Sequence, residues 1–182
     1  MKIFTVVSLI CITLAGCTFA YKLPDSSRNV AKVRFIAPEV GSKGIMSVSV
    51  YALKDDKCNG TTKLRQLGGL TNQLGSISSE DTDIGMWKEP GKTYGKNLYV
   101  EVPVVAEERF NFAILVSYVN GSCKVTLSFL PKTDRQYEVE HFTAGRQCNA
   151  TITEMTREGE QILMSKEPTG QRNQQVCTSF WN

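Results

Sequence analysis

Along most of this chain apolar residues recur at every second position, and that period leaves few structures open to it. In Ala31-Lys32-Val33-Arg34-Phe35 they alternate with charges, and in Met46 to Ala52 with serines. Leu98, Val100, Val102 and Val104 share one parity, with Tyr99 and Glu101 on the other. A period of two is that of a half-buried strand, whose successive side chains point to opposite faces. Arg109 to Val119 (RFNFAILVSYV) is apolar more continuously, as expected of a central strand covered on both faces. Asn120-Gly121 follows, and a type I′ hairpin turn favours this pair because both central residues need positive φ. The return strand sets Cys123, Val125, Leu127 and Phe129 on one face. After a turn at Pro131 to Asp134, Tyr137 and Val139 point inward while Glu138 and Glu140 point out. Cys148, Ala150 and Ile152 continue the series, and Gln161 to Met164 closes it after a turn at Glu158-Gly159.

Helix signals are weak by comparison. Only Thr62 to Leu70 and the polar stretch from Glu167 to Gln175 offer a turn or two, and Leu67 to Gly95 reads as a long connection. Eight or so short strands without intervening helices predict an all-β fold: one antiparallel β-sandwich, immunoglobulin-like, over residues 30–182.

Residues 1–16 do not belong to that domain. After Lys2, an apolar run from Ile3 to Ala15 is broken only by Thr5, Ser8 and Thr13. It is short of the roughly 20 apolar residues a spanning helix needs and has the proportions of a signal peptide's hydrophobic region. Its end, Leu14-Ala15-Gly16-Cys17, resembles the lipobox of bacterial lipoproteins. That resemblance implies removal of residues 1–16 and acylation of Cys17, and the Thr18 that follows implies the outer membrane. An ordinary secretory signal, cut after Ala20, is the competing reading, and both export the chain. Residues 17–29, with Pro24, Ser26 and Ser27, read as a tether between lipid and domain.

Cleavage would leave 166 of the 182 residues, and because Lys2 is the leader's only charge they carry 20 basic and 18 acidic side chains. The signs are interleaved, so no nucleic-acid footprint is present. With Cys11 in the leader and Cys17 acylated, four cysteines remain: Cys58, Cys123, Cys148 and Cys177. An even number in an exported chain predicts two disulfides. There is no C-x-x-C and the single His141 stands apart, so no metal site and no cofactor are expected. If residues 123–155 form a three-strand meander, Cys123 and Cys148 sit on strands separated by a third, about 10 Å apart. A bridge tolerates roughly 7 Å between Cα atoms, which disfavours Cys123–Cys148 and favours Cys58–Cys123 with Cys148–Cys177.

The run Cys123-x-Val125-x-Leu127-x-Phe129-x-Pro131, then Tyr137-x-Val139 and Cys148, is similar to part of some uncharacterised exported bacterial lipoproteins, with Thr133-Asp134 where those often carry Gly. It implies no activity. Other motifs have plainer readings. Gly91-Lys92-Thr93 lacks the first Gly of a phosphate loop, and Gly85-x-Trp87 resembles the lipocalin signature but lies mid-chain. Glu80 to Asp83 lacks the Gly and distal Glu of a calcium-binding loop. His141 has no nucleophile-elbow serine to serve. Asn59, Asn120 and Asn149 begin glycosylation sequons, which matter only in a eukaryotic secretory pathway. The expectation is a non-catalytic lipoprotein that meets the membrane through Cys17 and binds a protein or glycan partner. An inhibitor of a host or competitor enzyme, with Ile77 to Tyr94 as its protruding loop, and an acid-based envelope hydrolase are the alternatives. Replacing Cys17→Ser is expected to abolish metabolic palmitate labelling, and labelling that survives the substitution refutes the anchor.

Overall fold

The computed structural model describes residues 21, 23–36, 45–54, 61–67, 83–94, 99–144 and 147–172. Ten strands run through them: β1 (Val30–Ile36), β2 (Ile45–Leu53), β3 (Thr61–Leu67), β4 (Tyr99–Val105), β5 (Phe110–Tyr118), β6 (Gly121–Phe129), β7 (Gln136–Ala144), β8 (Gln147–Glu158), β9 (Gln161–Lys166) and β10 (Gln171–Arg172). They form two five-stranded sheets, in the orders β4-β1-β7-β8-β9 and β10-β6-β5-β2-β3. The all-β expectation holds among the described residues. Cys17, Cys58 and Cys177, and the acidic residues Glu80 and Asp81, lie outside them.

The alternating residues meet in one core. Val33 and Phe35 of β1, Val100 and Val104 of β4, and Tyr137 and Val139 of β7 come from the first sheet. Val48, Val50, Phe112, Ile114, Val125 and Phe129 come from the second. Phe35 meets Phe112 edge-on with centroids 5.1 Å apart, and Phe129 lies 4.9 Å from Tyr137. Aromatic pairs at this range add to simple area burial. β5 is the middle strand of its sheet, and Ala113 on its other face is also buried, as its continuous apolar run requires.

Several expectations are corrected. Thr61–Leu67 is no helical turn but a strand paired with β2, because the sheet offers its backbone partners that a short polar helix would lack. No helix forms in the described part of the late polar stretch, where Gln171–Arg172 pairs with β6. The sheets are not purely antiparallel, since β1 and β7 run parallel with Val33 opposite Tyr137. The β5–β6 hairpin exists, but Tyr118 pairs with Gly121, so the two turn residues are Val119 and Asn120. Gly121, with φ of 147°, takes the conformation that side chains resist. The tether is not free along its length either. Tyr21 packs against the core and donates a hydrogen bond from its hydroxyl to the Pro103 carbonyl at 3.0 Å. Burial pushes that hydroxyl's pKa up to about 12.

The largest correction concerns the meander. β6 and β7 belong to different sheets, and the chain crosses between them at Leu130 to Arg135. Tyr137 secures that crossing: its hydroxyl accepts the Lys132 N–H at 2.9 Å, and Asp134 takes positive φ in the turn. Cys123 on β6 therefore faces Cys148 on β8 across the core edge, with Cα atoms 5.8 Å apart, and the two form a disulfide. The pairing judged least favourable is the one present. Its 25-residue separation corresponds, by chain entropy, to about 3.5 kcal/mol of stabilisation. Cys123→Ala/Cys148→Ala is expected to lower the unfolding free energy by about that amount in urea, and non-reducing peptide mapping to recover the Cys123–Cys148 peptide from the parent.

Candidate functional site

Charge is buried on the outer face of the first sheet. β4, β1 and β7 lie side by side, so register places Arg34 opposite Glu101 on one flank and Glu138 on the other. The Arg34 guanidinium bonds Glu101 at 2.6 and 2.9 Å and Glu138 at 3.3 Å, and all three side chains are nearly or fully buried. The Tyr94 ring covers the guanidinium at 4.4 Å. Burial alone would pull the Arg34 pKa down, but the Glu101 hydrogen bond and charge outweigh it and the net movement is upward.

Residues 83–94 lie over this network like a strap. Glu101 accepts the backbone N–H groups of Ile84 at 2.8 Å and Met86 at 3.2 Å. Trp87 N–H reaches Gln136 at 2.8 Å, and Lys32 donates to the Ile84 carbonyl. Lys92 pairs with Glu138 and Glu140, and the Tyr94 hydroxyl donates to Glu138 at 3.0 Å. Gly85 sits at φ 74°, and its N–H together with Lys88 holds the Asp83 carboxyl down to about 2. So Gly85-x-Trp87 belongs to the strap, and Gly91-Lys92-Thr93 is a turn whose lysine binds carboxylates. Glu101 and Glu138 are a buried acid pair of the sort a hydrolase would need, but ion pairing to Arg34 engages both.

A second feature lies at the edge between the sheets. A groove of about 270 Å³ is lined by Val125, Leu127, Ala150 and Ile152, with Glu167 and Arg172 beside them. Glu167 is 2% exposed; its Oε1 accepts the Thr169 N–H and hydroxyl at 2.8 and 2.6 Å. Its Oε2 is buried with no hydrogen-bond partner among the described residues. Arg172 donates to the Asn149 side chain at 3.1 Å and to the Cys148 carbonyl at 3.4 Å, tying the groove to the disulfide.

His141 falls on the inner face, as its parity implies, but inside β7 rather than at a strand end. It is not remote from the cysteines: its Nε2 lies 3.5 Å from Cys148 Sγ, and burial pulls its pKa down. Sequence reasoning missed Arg34, Glu101, Glu138 and Glu167. The first three carried one usable signal, ionisable residues at the outward parity of strands whose other face is core. Compared with known protein families, curated proteins and solved structures, the chain matches none. Removing one partner from a buried ion network leaves the others unpaired and costs about 3–5 kcal/mol. Arg34→Met is expected to lose that much in urea unfolding, and Arg34→Met/Glu101→Leu to recover part of it.

Proposed function

We propose that this chain is a lipid-anchored protein of the bacterial cell envelope, held in the outer membrane through Cys17 after loss of residues 1–16. Its folded part is an immunoglobulin-like sandwich with a second disulfide between Cys58 and Cys177, and it binds a protein or glycan partner without chemistry. The supporting observation is the groove at the sheet edge. An aliphatic lining beside the exposed Arg172 guanidinium suits a ligand with both a C–H face and hydroxyl groups. A sugar ring presents both, so the glycan is favoured over the protein. The inhibitor reading loses support because the described part of its loop, residues 83–94, is bound down by Glu101 and Gln136.

The test uses saturation-transfer NMR on the purified protein, with soluble peptidoglycan fragments and lipopolysaccharide core oligosaccharides as probes. Ala150 is half-buried and lines the groove on the same side of β8 as Ile152, so Ala150→Trp fills the groove. Signal in the parent and at least about a tenfold loss of affinity in Ala150→Trp is expected. Equal binding by both proteins moves the site elsewhere, and no binding of either probe class removes the glycan.

A further inference from the structure

Beyond the groove, the sulfurs of the bridge and the imidazole of His141 form a cluster whose imidazole neither the fold nor the binding role uses. Cys123 Sγ, Cys148 Sγ and a ring nitrogen of His141 all lie within 4.8 Å of one another. Cys148 and His141 are buried, while Cys123 is half-buried and leaves one side open toward solvent.

We propose that the reduced form of this bridge is a zinc site, with the Cys123 and Cys148 thiolates and His141 Nε2 as three protein ligands and water as the fourth. Geometry carries the inference. Tetrahedral zinc with bonds of about 2.3 Å to sulfur and 2.0–2.1 Å to nitrogen sets ligand sulfur and nitrogen about 3.6 Å apart. His141 Nε2 already stands 3.5 Å from Cys148 Sγ. The two sulfurs must part to about 3.8 Å by the same geometry, and side-chain rotation alone supplies this on strands whose Cα atoms are 5.8 Å apart. The ring can also present the required lone pair. His141 Nδ1 has no hydrogen-bond partner among the described residues, so nothing there holds the ring proton on Nε2.

The chemistry balances with one co-reactant. A dithiol gives two electrons and two protons to the disulfide and ends as its own disulfide, leaving two protein thiols. Zinc(II) then displaces both thiol protons, forms two Zn–S bonds and accepts the Nε2 lone pair. The metal replaces the lost covalent link between β6 and β8, so the sheets stay joined in either state.

The experiment isolates these ligands in the full chain carrying Cys11→Ser, Cys17→Ser, Cys58→Ser and Cys177→Ser, kept in mild detergent and reduced anaerobically with a phosphine. Cobalt(II) serves as the spectroscopic probe, and zinc(II) is then titrated against a chromophoric chelator. One equivalent of cobalt with thiolate charge-transfer absorption is expected, displaced by zinc and absent from the oxidised protein. His141→Gln is expected to weaken zinc binding by at least about tenfold, and Cys148→Ser to abolish the charge-transfer band. Absence of the band in the reduced, folded protein overturns the proposal, as does zinc affinity unchanged by His141→Gln. If the background variant lacks the circular-dichroism signature of β-structure, the reduced parent is compared with its own Cys123→Ser/Cys148→Ser form, and equal zinc stoichiometry in the two refutes the site.

Discussion

The Arg34 guanidinium is the contact on which the arrangement of the first sheet depends. It sits on the middle strand of three and draws a carboxylate from each neighbour, so an acid–base–acid row crosses β4, β1 and β7. Such a row is a weak source of net stability, since the desolvation of three charges offsets most of their attraction. What it contributes is register. A one-residue slip of β1 would turn Arg34 into the core and Val33 and Phe35 out of it. Glu101 then extends the effect outward, because the oxygen it does not give to Arg34 receives the backbone of the strap at Ile84 and Met86.

Much of this architecture was legible in alternation alone. The core residues of β1, β2, β4, β6, β7 and β8 were named by parity. Period two reports which face a side chain takes, but not which sheet its strand joins. The six residues from Leu130 to Arg135 suit a tight hairpin and a passage across the core equally well, and only the second brings Cys123 to Cys148. The same gap hid the buried network. Arg34 and Glu138 are 104 positions apart, and only the parallel pairing of β1 with β7, which no local pattern announces, makes them neighbours. Thr61–Leu67 misled for a different reason: its strand character comes from the partner it finds in β2.

Where β8 of the first sheet faces β6 of the second, the bridge, the groove and β10 form one unit. Arg172 holds the Cys148 carbonyl, and the groove lining continues the strand faces that carry Cys123 and Cys148. A change in the oxidation state of the bridge would be felt first by the groove walls. Gly170 adds to this closeness, since a Cβ there would stand 3.4 Å from both Ile152 and the Glu167 carbonyl.

The interior position of β1 also sets a timetable for assembly. The first described strand made has both its neighbours arriving late, roughly at the middle and in the final third of the chain. Until β7 emerges, an apolar strand bearing a lone arginine has no partner on one flank, and pairings over such distances form slowly. A nascent chain in that condition is prone to aggregate. Such a chain is safest held unfolded until β7 has been delivered.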